Sequence, residues 1–337
     1  MRDNSILMLG ADDVGALLAR REQEVIDVVD RAYRLHGAGQ SSLPHSTFLR
    51  FPGDDVNRII ALPAFLGDSF QVAGMKWIAS FPGNLKRGMA RASAVLVLNS
   101  CETGQPEAIL EGSLISAQRT AASAALAARV FMGGRLPETT GIIGTGLINR
   151  EIARFLGAAL PGIGRLAVFD LDVERAARFA AQVRDSPGLP AEIDVAPSLD
   201  SVLRTCPLVS FATTAIRPHV KDLSSCPPGA AILHVSLRDL SPQSILGSDN
   251  VVDDIDHVSR AQTSIHLAEQ LSGSRDFIRC TLAEILEGTA PPRRDETSVT
   301  VFSPFGLGIL DVALGKWVLD LARTAGRGTT VTSFLPS

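Results

Sequence analysis

The sequence predicts an α/β fold whose second half is a doubly wound parallel sheet. Two observations carry that expectation. From residue 139 onward, short apolar runs alternate with amphipathic ones: TTGIIG, a helix over 147–159, RLAVFD, a helix over 173–184, LVSFATT, AAILHVS and DNVVDDID. Strands separated by helices pair in parallel, with the helices covering the sheet. Before residue 125 the texture differs. Apolar runs with β propensity follow one another over short turns there, which predicts an antiparallel sheet.

The elements follow in order. DDVGALLARREQEVIDVVDRAYRLHG has helical apolar spacing through Val14, Leu17, Leu18, Val25, Val28, Val29 and Tyr33, and predicts one helix. The strand-like runs are HSTFLRF, NRIIALPAFL, FQVAGMKWIAS and SAVLVLNSCETGQPEAILEG, the last folded back at Glu-Thr-Gly as a hairpin. SLISAQRTAASAALAARVF, 113–131, is an Ala-rich helix; helices near 257–272 and 280–288 come later. GTAPPRRDETS is a loop, LDVALGKWVLDLARTAG a closing helix, and the tail RGTTVTSFLPS is expected to fray.

A chain of 337 residues has room for two domains. It is 45% hydrophobic and 20% charged, with a formal net charge of −4. That balance carries no electrostatic footprint for nucleic acid or an anionic membrane. No apolar run approaches the roughly 20 residues that span a bilayer. MRDNSILMLGADD turns acidic before a signal-peptide core can form, so cytoplasm is the expected location. Cysteines at 101, 206, 226 and 280 form no C-x-x-C pair, and the six histidines are scattered. No metal site is expected.

TTGIIGTGLINREIARFL reads as strand, glycine turn and helix, the opening of a Rossmann-type unit. Gly144 permits the turn, and Gly146 lets backbone approach a pyrophosphate at the helix N-terminus. Gly144, Thr145, Gly146, Leu147 and Ile148 are therefore the candidate phosphate cradle. Asn149 stands where the dinucleotide fingerprint has its third glycine, which weakens the expectation of close helix–strand packing. The next strand ends in Asp170, placed to hold a ribose 2′-hydroxyl and to repel a 2′-phosphate, so NAD is expected over NADP. Thr213 and Ser236, at the ends of two later strands, are further candidate cofactor contacts.

Tyr33 is the only tyrosine and lacks a lysine four residues on, and no G-x-S-x-G elbow or P-loop occurs. Charged residues in apolar settings remain. Lys76 lies on a strand whose two faces both read as dry, between Gly74 and Ile78. Arg119 sits in the Ala-rich helix, Arg50 in STFLRF, and Asp239 just beyond a parallel strand, where doubly wound sheets bind ligands. Three cations and a carboxylate suggest an anionic amino-acid substrate.

GMKWIASFPGN, EGSLISAQRTAA, GIIGTGLI and FSPFGLGILD resemble the ornithine cyclodeaminase/mu-crystallin family, in order and over essentially the whole chain. The resemblance implies a substrate-binding, dimerising α+β domain over 1–125, completed by the helix 308–326. An NAD-binding domain over 126–307 is inserted in it, and the active site is expected between the two. It further implies Lys76 and Asp239 as catalytic residues, and Arg50, Lys76 and Arg119 as carboxylate ligands. Phe305 and Gly306 would form the loop that touches the nicotinamide. On this reading Lys76 is kept buried for a substrate partner. The family includes cyclodeaminases, ketimine reductases, alanine dehydrogenases and a branch that forms 2,3-diaminopropionate for siderophores and peptide antibiotics. NRIIALP, GMKWIAS and NLKRGMARASAVLVLNSCETGQPEAILEGSLIS look most like that last branch, whose substrate is a tricarboxylate; Arg91 is then a candidate extra ligand. The alternatives are a cyclodeaminase and, after it, a ketimine reductase or alanine dehydrogenase, or a mu-crystallin-like NAD(P)H- and ligand-binding protein with little turnover.

Overall fold

The computed structural model describes residues 4–336 except 185 and 191, so the first three residues of MRDNSILMLGADD and the last of the tail lie outside the described residues. Contacts divide the chain into two compact units. One takes the residues up to Arg119 and again from Leu307, and the other runs Thr120–Gly306. The division falls inside the helix Gly112–Met132.

The first unit holds a mixed sheet. Its order is Thr329–Val331, Ile6–Leu9, Pro106–Glu111, Ala92–Asn99, Val72–Ser80, Asp54–Leu66 and Ser41–Ser42, with Thr47–Phe51 also on Asp54–Leu66. Ile6–Leu9 runs parallel to Pro106–Glu111, and the other pairings are antiparallel. The tail does not fray: Val331 pairs with Ile6, because an edge strand offers unpaired backbone groups that an extended TTV segment can satisfy. Nor is the first helix single. It breaks into Ala11–Leu18 and Glu22–Gly37 at Arg20, whose φ is +59°, where ARRE offers nothing to bury.

The closing helix Gly308–Ala325 lies on the Lys76 face of this sheet at close range. A Cβ on Gly315 of the helix would run into Leu96 Cδ2 of the sheet, and one on Gly74 of the sheet would come within 3.2 Å of Val312 Cγ1 of the helix. Only residues without side chains allow that approach. The opposite face is not dry as the sequence suggested: Trp77 is 40% and Val95 43% exposed. Across this face Met75, Val97, Ile109 and Met8 stand in one register row, and Ala61, Trp77 and Val95 in the next.

The second unit is a fully parallel sheet in the order Ile193–Val195, Arg165–Phe169, Thr139–Ile143, Leu208–Phe211, Ala231–His234, Thr300–Ser303, Asp249–Val252 and Ile278–Thr281. The direction of winding reverses between Thr139–Ile143 and Leu208–Phe211, which is where such sheets open a crevice for ligands. Val209, Phe211, Ile232 and Val301 are among its buried core residues.

Candidate active site

Lys76 is 2% exposed, and its Nζ lies 2.7 Å from Asp311 Oδ2 and 3.0 Å from Ser116 Oγ. Asp311 comes from the first turn of the closing helix and is wholly buried. Its other oxygen accepts from Arg119 Nε at 3.0 Å, and Arg119 Nη2 reaches Ser116 Oγ at 3.4 Å. The ammonium therefore already has a protein counter-ion, and its burial is not explained by substrate alone. In the sequence only its position as a lone acid in the apolar start of the closing helix points to Asp311. Burial and the nearby Arg119 pull Lys76 down to about 8, against the opposing pull of Asp311. The cluster carries one net positive charge. Arg119 Nη1 remains unbonded among the described residues, so the cluster can accept one carboxylate.

The other predicted cations stand differently. Arg50 lies on Thr47–Phe51, exposed, with its guanidinium 5.7 Å over the Phe48 ring. Its register through Arg58 to Ser80 puts it on the Lys76 face, two strands across and four residues along, roughly 16 Å away. Arg91 is half-buried just before Ala92–Asn99, and its carbonyl accepts the Phe81 amide at 2.8 Å. Burial lowers its guanidinium from the usual value, and its side chain forms no ion pair among the described residues.

In the second unit the glycine turn follows Thr139–Ile143 and opens the helix Leu147–Ala159. Gly144 takes φ +86°, and a Cβ there would strike the Ala212 carbonyl at 2.7 Å; at Gly146 a Cβ would meet nothing within 4 Å. The turn thus leaves open space before the helix amides, as a phosphate requires. Asp170 Oδ2 accepts from Thr145 N at 2.8 Å and Thr145 Oγ1 at 2.7 Å, tying the end of one strand to the turn. Burial works to raise this carboxyl, but the Thr145 and Asp172 hydrogen bonds prevail and hold it low. Asn149 is buried and braces the turn. Its Nδ2 donates to the carbonyls of Ile143 at 2.8 Å and Gly144 at 2.7 Å, while Ser210 Oγ donates to its Oδ1 at 2.7 Å. The missing glycine is replaced by a polar clamp, and helix and strand stay joined.

Asp239 sits past Ala231–His234, as expected, and is wholly buried. Thr213 Oγ1 donates to its Oδ1 and Ser236 Oγ to its Oδ2, so the two hydroxyls expected to meet cofactor also hold this carboxylate. The His219 ring approaches Oδ1 at 3.1 Å, and the Asp239 amide donates to His234 Nε2 at 3.1 Å. Burial opposes ionisation while the hydrogen bonds from Ser236 and Thr213 favour it, and the carboxyl titrates below the ordinary range. Neither histidine was marked in the sequence, because each is isolated there. Asp253 was also missed. It follows Asp249–Val252, is buried, and accepts the amides of Phe305 at 2.9 Å and Gly306 at 2.7 Å. Like Asp239, it is a carboxylate just beyond a parallel strand, and that signal could have found it.

Known proteins resemble this chain in sequence and fold. The chain is 29% identical to N-((2S)-2-amino-2-carboxyethyl)-L-glutamate dehydrogenase of Staphylococcus aureus, over 98% of this chain and 99% of that one. Among solved structures, Δ1-pyrroline-2-carboxylate reductase of Thermococcus litoralis, in complex with NADH and L-proline, superposes with a TM-score of 0.85 at 27% identity. That match covers 97% of this chain and all of the other. An archaeal alanine dehydrogenase dimer with bound NAD does so with a TM-score of 0.85 at 26% identity, covering 98% and 100%. Residues 5–326 match the sequence profile of one family. The chain belongs to the ornithine cyclodeaminase/mu-crystallin family.

Proposed function

We propose that the protein is an NAD-dependent oxidoreductase acting on the secondary amine of N-((2S)-2-amino-2-carboxyethyl)-L-glutamate, releasing L-2,3-diaminopropionate and 2-oxoglutarate. The observation that carries this reading is the buried trio of Lys76, Asp311 and Arg119, with its net positive charge and unused guanidinium donor. That site suits an α-carboxylate. Arg91, half-buried without an ion pair among the described residues, supplies the further cation that a tricarboxylate calls for. The likeness to the Staphylococcus aureus enzyme favours the same substrate.

Gly144–Ile148 and, at the adenosine ribose, Asp170 would hold NAD, which would supply the hydride acceptor. The chain's own groups do the rest. Lys76 and Arg119 orient the carboxylate beside the reacting carbon, and Lys76, titrating at about 8, is close enough to neutrality to deliver or take a proton during hydrolysis of the imine. Asp253 holds the Phe305–Gly306 loop in place from behind. The apolar rows carrying Trp77 and Val95 are the face through which we expect a homodimer. A monomer by sedimentation at micromolar concentration would contradict that assembly.

The purified protein is to be incubated with NAD and the tricarboxylate, and products followed by mass spectrometry. NADH, 2-oxoglutarate and 2,3-diaminopropionate in equal amounts are expected. Proline made from ornithine, with the tricarboxylate untouched, would replace this reading with a cyclodeaminase.

A further inference from the structure

We propose that His219 is the group that takes the proton from the reacting amine, and that Asp239, hydrogen-bonded to its ring at 3.1 Å, orients it. This rests on the amine-oxidation reading above. A base must have a lone pair to offer, and Asp239 has few. Its carboxylate is wholly buried and accepts from Thr213, Ser236 and the His219 ring. Such a carboxylate has about four acceptor sites in all. Against its burial, hydrogen bonds that include those from Ser236 and Thr213 hold it below the usual carboxylate range, so it is a weak acceptor near neutral pH.

His219 has the complementary properties. Its side chain is 42% exposed, and its ring is fixed at one end only. Nε2 faces Oδ1 of an ionised carboxylate, so that nitrogen carries the hydrogen and Nδ1 carries the lone pair. Nδ1 makes no hydrogen bond among the described residues. The main chain is anchored to the same residue, since the His219 and Val220 amides both donate to the Asp239 carbonyl at 2.9 Å. Ring and backbone are thus set by one buried acid, in the loop that follows Leu208–Phe211 at the crevice end of the parallel sheet. The charged groups around the ring are few. Asp239 touches it; His234 stands behind, accepting the Asp239 amide on Nε2 and meeting Ser303 Oγ through Nδ1 at 3.2 Å. Arg217, Lys221 and Asp222 are exposed on the same loop.

The step balances. With a bound NAD as hydride acceptor, the nitrogen lone pair would form the C=N bond as the α-carbon gives up hydride, and the N–H bond would break with its pair left on nitrogen. The proton passes to His219 Nδ1 and from there to water.

His219→Gln keeps a donor for Asp239 but cannot carry a proton. It should lose turnover by about 100-fold or more while binding NADH within about twofold of wild type, and its pH profile should differ from that of wild type. Added imidazole should restore His219→Ala by about tenfold or more, which a purely structural role would not allow. Nitrogen NMR of histidine-labelled protein should show the His219 ring with hydrogen on Nε2, and Asp239→Asn should move its titration. His219→Gln turning over within about threefold of wild type, with an unchanged pH profile, overturns the proposal, as does hydrogen on Nδ1. Wild-type protein that oxidises no amine would instead sink the functional reading, and the NMR result then decides the His219–Asp239 pairing separately.

Discussion

Lys76 Nζ lies 2.7 Å from Asp311 Oδ2, and Arg119 Nε lies 3.0 Å from Asp311 Oδ1, so one buried carboxylate serves two buried cations. Strand, closing helix and Ala-rich helix are joined through it. Removing the charge while keeping the shape, as in Asp311→Asn, leaves Lys76 and Arg119 facing each other in a dry site. Breaking a buried pair in this way costs about 3–5 kcal/mol. Denaturant unfolding should show that loss, and a variant as stable as wild type would disprove the role of Asp311 as shared counter-ion.

The same burial sets a pH dependence. Lys76 titrates at about 8 rather than 10.5, so it loses its charge as the pH rises through about 8. Substrate carboxylates, with ordinary values near 4, stay ionised throughout. Binding of a carboxylate ligand should therefore weaken above about pH 8, approaching tenfold per pH unit, and should not change below. Calorimetric titration with 2-oxoglutarate measures this. Lys76→Arg keeps its charge and should flatten the curve. An affinity constant from about pH 7 to about pH 10 in wild type would show that the ammonium is not part of the clamp.

Asn149 yields a prediction opposite to what the fingerprint suggests. Asn149→Gly restores the usual third glycine, yet it removes donors to two carbonyls and the acceptor of Ser210 Oγ. Unsatisfied buried groups cost about 1–3 kcal/mol each. The restored glycine should lower stability by about 2 kcal/mol or more, read as a drop in the unfolding midpoint. Equal stability would mean that the clamp is idle.

What the sequence made legible follows physical lines. Glycine turn, parallel strands and the position of Asp239 were readable because turn chemistry and apolar periodicity are local. The strands Ile193–Val195, Ile278–Thr281 and Thr300–Ser303 are too short to show a period, and Thr329–Val331 is a strand only because Ile6–Leu9 needs a partner. Lys76 stands out in the sequence, but its partner lies in the closing helix, and no local pattern reports a contact of that range. The same holds for His219 and Asp253, whose partners come from later loops. The exposed Trp77 face was misread because an apolar strand face looks identical whether helices or another subunit cover it.

Asp170 predicts cofactor choice. It faces the glycine turn as an ionised carboxylate, so a 2′-phosphate beside it would meet a like charge. NADH should bind more tightly than NADPH, and Asp170→Ala should narrow the gap mainly by weakening NADH. Fluorescence titration with both nucleotides measures it. Equal wild-type affinities would remove the ribose assignment.

The last prediction concerns Arg91. Lys76 and Arg119 share Asp311, so together they match one carboxylate rather than two, and the case for a tricarboxylate shifts to the cations that no acid neutralises. Arg91 is the half-buried one, with no ion pair among the described residues; Arg50 is exposed and stacked on Phe48. A guanidinium fork meets a carboxylate with two parallel bonds, and a charge-assisted hydrogen bond contributes about 1.5–3 kcal/mol. Arg91→Thr should therefore raise KM for the tricarboxylate by about ten- to a hundredfold and leave kcat nearly unchanged, since the contact is made equally in ground and transition states. Arg91→Lys, a point charge without the fork, should fall between. The same Arg91→Thr change removes a cation that would repel the side-chain ammonium of ornithine, so any trace conversion of ornithine should rise, not fall. An Arg91→Thr enzyme with wild-type KM for the tricarboxylate would show that this arginine faces away from the substrate.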